Sequence, residues 1–591
     1  MLGSVLRSKL TLVAFILMLS ALLPAAKRAA CGGEHLPFSL YHTTPLNRVL
    51  YPRVAAPAFC EAGGVLTVYV SYVEGEKPAK SAEWSGSLES ILYGSYELEK
   101  VEQSFDERGL WKIKFKIPEE AEGLFNLTLK AEGMVFTEPN CIKVYKELPS
   151  ELKIGVLTDN HVGLRRQLRY KVNNEVFEVV LATLDSLNLD LIIDCGDVVD
   201  ATADEEPYRY VYELISHLAT PILFTMGNND YYTIEKGKWW WEKYFAPVRW
   251  STTVGGYHFI ALDTDTGRVT DEALSWLEED MALNRDKKIV LFFHYPYWDP
   301  DQISPNAYEK LPKLMKEYDV ILVLLGHRHI DEVRKPPEVP ALTITSTATA
   351  ASQKYRGYRL LTLKGEQVEY TPESTPYEKL GVKLLQRRDG SSAGVAAKVW
   401  NKLSKPATLR ILAKLKPGAL KVEGAEAKAT KEAKGVLAVV MEASLPPGSE
   451  KVIKAYTAED KTPPKVEVHP EEAEDYISLD YSASDTGLGV LEVSVFYSLD
   501  NKTWSSAQVK IVDEYPLPTA PKADRVYYKA EAMDAAGNKA VAYGVYEAKP
   551  TAVVTSMTIR GERVTPAPAL IAVVVAAVAI AVVLVVWRMR R

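Results

Sequence analysis

The stretch Val320-Ile321-Leu322-Val323-Leu324-Leu325-Gly326-His327-Arg328-His329 is a continuously apolar run that ends in a glycine and two histidines. A short apolar run bounded by turn residues predicts a buried strand. Two imidazoles that bracket one residue directly after such a strand have no common structural purpose. The stretch therefore predicts a metal-binding loop at the end of a strand in an α/β sheet.

Four earlier sets of polar residues follow runs of the same kind. They are Asp159 and His161 after Leu152–Thr158, Gly196 and Asp197 after Leu189–Cys195, Asn228, Asn229 and Asp230 after Ile222–Thr225, and His294 after Ile289–Phe293. Helical patterns separate these runs, over 172–187 and 274–281. Strands alternating with helices indicate an α/β unit, in which loops beyond the strand ends converge in one crevice. We expect the five sets to form one site.

Each of these residues has an ordinary explanation when it is taken alone. An Asp or Asn after a strand is usually a turn or capping residue, and a lone histidine is more often a satisfied structural residue than a ligand. Nitrogen and oxygen donors without a thiolate, delivered together, instead suit a polynuclear centre of Mn, Fe, Zn or Co. The seven candidate ligands are Asp159, His161, Asp197, Asn228, His294, His327 and His329.

In their order, the five sets resemble the calcineurin-like metallophosphoesterases, whose pattern is D-x-H, G-D, G-N-[HD], a lone H and G-H-x-H. The resemblance covers roughly residues 150–370 and implies a β-sandwich flanked by helices. It implies one ion at Asp159, His161 and His329, and a second at Asn228, His294 and His327. Asp197 would bridge the two ions.

The resemblance also implies a reaction, the hydrolysis of a phosphodiester or phosphomonoester. A hydroxide that bridges two divalent ions would attack phosphorus in line, without a covalent enzyme intermediate. The candidate catalytic residues are Asp197, Asn229 and Asp230. The competing interpretation is a surface adhesion or structural ectodomain that has lost activity and keeps metal only for stability.

One residue departs from the family pattern. Most members have a histidine near the leaving-group oxygen where this chain has Asn229. An amide cannot donate a catalytic proton, so general-acid help of about 10²–10⁴-fold is missing at this position. Either another group or a metal-bound water supplies the proton, or the preferred substrate has a good leaving group. Purple acid phosphatases use a tyrosine three residues after the bridging aspartate, where this chain has Asp200, so no tyrosinate-to-iron colour is expected.

The two ends of the chain predict an exported and anchored protein. Residues 1–30 have the basic, apolar and small-residue segments of a signal peptide, with a retained N-terminal anchor as the alternative. Residues 569–587 are apolar over a length that spans a bilayer, and the tail 588–591 is rich in arginine. We expect a type I single-pass protein of the cell membrane, with an extracytoplasmic catalytic domain and a stalk at 550–568.

The remaining chain predicts further all-β domains, as a length of 591 residues suggests. Residues 31–148 alternate apolar and polar positions, which indicates an N-terminal β-sandwich. Residues 375–457 are β-rich. Residues 465–548 resemble an immunoglobulin-like module, on Ser482–Val490, Val495–Asp500 and Tyr528–Asn538.

The net charge and the cysteine content limit which partners and which disulfide bonds we expect. A net charge of −7 without a basic block offers no support for nucleic-acid binding. Four cysteines form no disulfide framework, although Cys60 and Cys141 could form one bridge and Cys31 could join either. Eight aromatic residues lie close to the motifs in the sequence. They either stack on a base or sugar of the substrate or pack in the core. They are Tyr231, Tyr232, Trp239, Trp240, Trp241, Tyr295, Tyr297 and Trp298.

Overall fold

The computed structural model describes residues 35–41, 47–74, 77–231, 234–337, 339–345, 349 and 355–548. The predicted signal peptide, stalk, membrane span and tail lie outside these residues, as do Cys31 and Tyr232. Within the described ranges, no helix has the length and apolar character needed to cross a bilayer.

The N-terminal region is all β, as its alternating sequence predicts. Its strands are β1 (Phe38–Ser39), β2 (Arg48–Tyr51), β3 (Ala58–Glu61), β4 (Val65–Ser71), β5 (Val73–Glu74), β6 (Lys77–Pro78), β7 (Ser85–Ser90), β8 (Gly94–Phe105), β9 (Trp111–Lys116), β10 (Gly123–Ala131) and β11 (Met134–Tyr145). In β9, Trp111, Ile113 and Phe115 are buried while the lysines between them face outward. This is the period of a half-buried strand.

Eight strands of this region form one continuous sheet in the order β2-β4-β9-β8-β7-β10-β11-β3. The long strand β8 joins its two halves, because residues 94–98 pair with β7 and residues 99–105 pair with β9. The region that was expected to form a β-sandwich therefore forms one continuous sheet, and the two halves of that sheet share β8. β5 and β6 form a separate two-stranded hairpin.

The central region alternates strands and helices. Its strands are β12 (Glu151–Leu157), β13 (Leu191–Asp194), β14 (Ile222–Phe224), β15 (Arg249–Val254), β16 (Tyr257–Ala261), β17 (Lys288–Phe292), β18 (Val320–Leu325), β19 (Glu332–Arg334), β20 (Leu342–Thr345), β21 (Gly357–Lys364), β22 (Gln367–Tyr370) and β23 (Thr375–Pro376). Its helices are α1 (Leu168–Ser186), α2 (Glu206–Ile215), α3 (Ile234–Tyr244), α4 (Asp271–Leu283) and α5 (Pro305–Glu317), with a 3₁₀ turn at Asn229–Tyr231. The predicted α/β unit is confirmed here.

Two sheets carry the central region. One has the order β14-β13-β12-β21-β22, with β23 paired to β21, and the other has the order β1-β15-β16-β17-β18-β20-β19. Strands β12, β13 and β14 run parallel, as do β16, β17, β18 and β20. The carboxyl ends of parallel strands lie at the same edge of a sheet, so the loops that follow them meet there.

The C-terminal half consists of paired sheets. Its strands are β24 (Leu380–Leu384), β25 (Gly394–Asn401), β26 (Ala407–Leu415), β27 (Lys421–Glu423), β28 (Glu426–Ala433), β29 (Val436–Leu445), β30 (Ser449–Tyr456), β31 (Lys465–Glu472), β32 (Tyr476–Ser484), β33 (Val490–Ser498), β34 (Ser505–Ser506), β35 (Gln508–Val512), β36 (Tyr515–Pro521), β37 (Arg525–Asp534) and β38 (Lys539–Glu547). The first module pairs β24-β25-β30-β27 with β26-β29-β28, and the C-terminal module pairs β31-β32-β36-β35 with β34-β33-β37-β38.

Buried polar contacts tie the flanking regions to the central one. Arg53 is 4 % exposed and lies 2.9 Å from a carboxylate oxygen of Glu138. Its guanidinium also donates to the carbonyls of Glu242 and Lys243 in α3, at 2.7 and 2.9 Å. On the other side, the Val382 N–H of β24 donates to Thr183 Oγ1 of α1 at 2.9 Å.

The described cysteines are free thiols. Cys60, Cys141 and Cys195 are all buried. Within the β3–β11 pair, Cys60 lies opposite Val144, three residues beyond Cys141. The suggested bridge between Cys60 and Cys141 is therefore wrong, because the strand register offsets the two thiols. Burial raises the pKa of the Cys60 thiol to about 12, which keeps it protonated and unreactive.

Candidate metal centre

The first and last motifs meet at the ends of β12 and β18. Asp159 Oδ1 lies 3.1 Å from Nε2 of His329, and the Nε2 atoms of His161 and His329 are 3.3 Å apart. The His327 N–H lies 3.1 and 3.2 Å from the two carboxylate oxygens of Asp159. These contacts bring the D-x-H and G-H-x-H loops into one crevice.

The other three motifs complete the same crevice. Nε2 of His294 lies 3.2 Å from Asp197 Oδ2 and 3.8 Å from Asp159 Oδ1. Nδ1 of His327 lies 2.9 Å from the side-chain oxygen of Asn228. Asp197 Oδ2 is also 3.7 Å from Nε2 of His161. The structure thus gathers every candidate ligand, with Asp197 between the two histidine groups.

His294 provides a direct test of whether this donor set fits a cation. Its Nδ1 lies 2.8 Å from the Cys195 carbonyl oxygen, which can only accept, so Nδ1 carries the proton. Its Nε2 is buried without a hydrogen-bond partner and faces the carboxylates of Asp159 and Asp197. A buried imidazole nitrogen that faces two carboxylates is the environment of a metal ligand, which an ion occupies in place of the proton. The residues present fit divalent ions.

The charges of the crevice favour cations. Burial acts to lower the pKa of His294, but the charges of Asp197 and Asp159 outweigh it and raise that pKa to about 10. Burial also acts to lower the pKa of His161. The hydrogen bond to Asp200 and the charges of the nearby carboxylates outweigh it and raise that pKa to about 9. Metal ions that replace these protons would satisfy the same carboxylates, so metal binding releases protons.

The ligand loops have an unusual backbone. Asp159, His161, Asp197, His327 and His329 all have positive φ, at 52°, 48°, 55°, 70° and 53°. Non-glycine residues rarely adopt this region, and such strain concentrates at functional sites. The short strand-to-loop turns require this conformation in order to aim adjacent side chains at one point.

Two glycines of the motifs are required by close packing. A Cβ at Gly227 would lie 2.2 Å from Oδ1 of Asp197, and a Cβ at Gly326 would lie 2.1 Å from Oγ1 of Thr158. Any side chain at either position would displace the ligand loops. The glycines in G-N and G-H-x-H therefore allow the loops to approach each other.

Asn229 is directed at the central carboxylate. Its backbone N–H donates to Asp197 Oδ1 at 2.7 Å, and its side-chain Nδ2 donates to Asp197 Oδ2 at 2.6 Å. The amide thus holds Asp197. This contact could not be read from the sequence, which indicated only that Asn229 lacks an acidic proton.

Asp230 has the contacts of a structural residue. It is fully buried, and its carboxylate accepts the N–H groups of Val199 and Gly227 at 2.9 and 2.8 Å. Burial and the neighbouring charge of Asp197 raise its pKa to about 7. Asp230 therefore joins the two loops, and its candidate catalytic role stays a prediction.

Two further residues, Asp200 and Tyr295, touch the candidate ligands without belonging to any predicted motif, and a third, Tyr170, holds Asp200. Nδ1 of His161 lies 3.2 Å from Asp200 Oδ1, and the Tyr170 hydroxyl donates to Asp200 Oδ2 at 2.6 Å. The Tyr295 ring stacks on His327 with ring centroids 4.1 Å apart. Asp200 had a weak signal, its place three residues after Asp197, but nothing in the sequence marked Tyr170.

Three of the aromatic residues near the motifs belong to the core. Tyr231, Trp241 and Tyr297 are 1 %, 0 % and 2 % exposed, which confirms core packing for these three. Tyr295 instead stacks on His327, a candidate ligand. The nearby Arg165 and Arg166 lie 3.5 and 4.0 Å from Glu206.

Comparisons with known proteins find similar sequences and one partly similar structure. Residues 152–331 match the sequence model described as calcineurin-like phosphoesterase. The chain is 25 % identical over 194 residues to a probable cyclic nucleotide phosphodiesterase of Fibrobacter succinogenes, covering 30 % of this chain and 73 % of that protein. It is 26 % identical over 196 residues to a probable glycerophosphodiester phosphodiesterase of Arcobacter nitrofigilis, covering 29 % and 70 %. A purple acid phosphatase from yellow lupin seeds aligns at 14 % identity over 55 % of this chain and 72 % of that one, with a TM-score of only 0.36.

Proposed function

We propose that this chain hydrolyses phosphate esters at the crevice between β12 and β18, because residues 152–331 match the model of the calcineurin-like phosphoesterases. The observation that carries the proposal is the unpartnered, buried Nε2 of His294 facing Asp159 and Asp197. A structural histidine would have its second nitrogen satisfied.

The donor set divides into two halves that share Asp197. Asp159, His161 and His329 would hold one divalent ion, and Asn228, His294 and His327 would hold the other. When bound, two such ions lower the pKa of a water molecule and stabilise charge on the phosphoryl oxygens. Mn, Fe, Zn and Co all suit these donors.

The chain's own residues organise the centre. Asn229 donates to both oxygens of Asp197, through its backbone and side-chain nitrogens, and so fixes the rotation of that carboxylate. The Cys195 carbonyl and Asp200 orient His294 and His161. Ligands held in this way lose little conformational freedom when they bind an ion.

Phosphodiesters are the favoured substrates, and the names of the relatives support this choice. The relatives described above are named phosphodiesterases of cyclic nucleotides and glycerophosphodiesters. Asn229 bears on the leaving group rather than on the class of ester, because it is engaged with Asp197 and has no acidic proton for a leaving group. Esters whose leaving group departs without protonation are then hydrolysed fastest.

The proposal also places the crevice outside the cytoplasm, on a protein anchored through residues 569–587. The support is the apolar run itself, the arginine-rich tail 588–591 and the signal-like residues 1–30. Protease protection in intact cells tests this arrangement: an external protease should remove the catalytic region and leave the tail. Protection of the whole chain would contradict the location without affecting the hydrolytic proposal.

Turnover by the metal-loaded full chain tests the activity. The hydrolysis of bis(p-nitrophenyl) phosphate and of p-nitrophenyl phosphate should be measured while the chain is titrated with Mn, Zn, Fe and Co in turn. We expect hydrolysis of the diester to exceed that of the monoester, and its loss in Asp197→Ala. Two bound ions with no turnover on any phosphate ester would instead support the inactive ectodomain.

A further inference from the structure

We infer that Asp200 and Tyr170 act as positioning residues that hold His161 for the ion shared with Asp159 and His329. The inference rests on the metal centre of the proposed function and adds two residues that no motif includes. It concerns how one half of the centre is built, and it can be tested without substrate.

The hydrogen bond to Asp200 sets the orientation of the His161 ring. Asp200 Oδ1 lies 3.2 Å from Nδ1 of His161. Because an ionised carboxylate only accepts, Nδ1 carries the proton and the Nε2 lone pair is left for an ion. That Nε2 lies 3.3 Å from Nε2 of His329 and 3.7 Å from Asp197 Oδ2, so it points into the crevice.

Tyr170 in turn holds Asp200. Its hydroxyl donates to Asp200 Oδ2 at 2.6 Å, on the oxygen that does not face His161. The guanidinium of Arg169 lies over the Tyr170 ring at 4.4 Å and donates to its hydroxyl. Tyr170 also covers Gly163, where a Cβ would lie 2.2 Å from the ring. The carboxylate is thus held from both of its oxygens.

The start of α1 fixes the backbone at His161 and just after it. Asn174, which is 6 % exposed, accepts the Gly163 N–H at 3.0 Å and donates to the Gly163 carbonyl at 3.1 Å. Asn173 donates to the His161 carbonyl at 3.4 Å. Residues 161–163 are therefore bound to the same helix that carries Tyr170, so the imidazole and its backbone share one support.

The other half of the centre does not depend on this arrangement. His294 is oriented by the backbone carbonyl of Cys195 rather than by a side chain. Substitution of Asp200 should therefore affect one ion selectively. A carboxylate that only stabilised the fold would weaken both ions or neither.

Binding of Mn²⁺ alone to the full chain, followed by electron paramagnetic resonance of the free ion, tests the inference. We expect Asp200→Asn to weaken one of two Mn²⁺ ions by about 10- to 100-fold, the usual effect of removing a carboxylate behind a histidine ligand. Tyr170→Phe removes one hydrogen bond and should weaken the same ion by about threefold to tenfold. Asp200→Glu, which keeps a carboxylate, should recover part of the affinity.

Asp204→Asn is the matched control, because Asp204 lies in the same loop, is exposed, and makes its hydrogen bonds with Thr202. It should bind both ions as the unsubstituted chain does. Two ions of unchanged affinity in Asp200→Asn would overturn the inference, as would equal weakening of both. If Asp200→Asn fails to fold, the Tyr170→Phe titration decides by the same criteria. A chain that binds two ions but hydrolyses no ester would refute the proposed function and leave this inference standing.

Discussion

The two halves of the metal centre are built in different ways. The outer half contains Asp159, His161 and His329, whose two imidazole side chains are 12 % and 25 % exposed. The inner half contains Asn228, His294 and His327, which are neutral donors, and its His294 is fully buried. The outer half thus contributes a carboxylate of its own, Asp159, and its His161 is oriented by a side chain. His294 of the inner half is oriented by the backbone.

This difference suggests how the two ions are retained. Charge attracts an ion to the outer half, but water reaches its histidines and their orientation depends on Asp200. The inner half has no carboxylate ligand of its own besides the shared Asp197, although Asp159 lies 3.8 Å from its His294. That buried histidine loses little freedom on binding, because the backbone already orients it. Substitution of residues that support a ligand without binding an ion should therefore weaken the ion of the outer half more than the ion of the inner half.

Removal of the shared ligand should have the largest effect. Asp197→Ala deletes the carboxylate that lies 3.2 Å from His294 and 3.7 Å from His161. We expect loss of both ions and a fall in turnover of at least about 100-fold, because charge stabilisation at the phosphoryl group is lost. Metal analysis and diester hydrolysis measure the two effects.

Asp280→Asn is the control for that substitution. Asp280 is also a buried carboxylate next to a histidine, 2.7 Å from His258, but it lies outside the crevice. Its variant should retain both ions even if it unfolds at a lower temperature. A chain with Asp197→Ala that keeps both ions would show that the two halves are independent sites.

Removal of one histidine from each half tests the comparison directly. His294→Ala should leave one ion in the outer half, and His329→Ala should leave one in the inner half, because each half loses one donor. Both variants should lose most turnover, by about 10- to 100-fold. Metal content at limiting and saturating Mn²⁺ distinguishes them. Loss of both ions in either variant would mean that the centre fills as a unit.

Substitution of Asn229 by histidine should have a smaller effect that depends on the leaving group. Asn229→His introduces a proton donor but removes the side-chain hydrogen bond to Asp197 Oδ2. We expect about a tenfold gain for alkyl esters, whose leaving groups need protonation, and no gain for nitrophenyl esters. Measurement of kcat/KM over a series of leaving groups tests this. A uniform fall across the series would mean that the hydrogen bond to Asp197 matters more than a proton donor does.

The sequence predicted the ligands better than it predicted their support. Candidate ligands such as Asp159 and His327 directly follow apolar runs that form strands, so the strand ends bring them together. Tyr170 and Asn174 support His161 from a helix, through contacts that depend on how α1 packs. No local pattern encodes such packing. For the same reason, strand register rather than composition decided that Cys60 has no bridge to Cys141.

The smallest effect is expected where the C-terminal module contacts α1. Nζ of Lys171 lies 2.7 and 2.6 Å from the carboxylate oxygens of Asp480 and over the Tyr515 ring at 4.8 Å. Both side chains of the ion pair are about a quarter exposed, at 23 % and 26 %, so Asp480→Asn should lower the free energy of unfolding by about 1 kcal/mol or less.

That substitution also sharpens the comparison of the two halves. Lys171 follows Tyr170 directly, but the buried Asn174 still fixes Gly163 to α1 when the ion pair is lost. We therefore expect the outer ion to weaken by less than about threefold in a Mn²⁺ titration, since one solvated ion pair contributes little. A loss as large as that expected for Asp200→Asn would mean that the C-terminal module, and not the start of α1 itself, determines the position of His161.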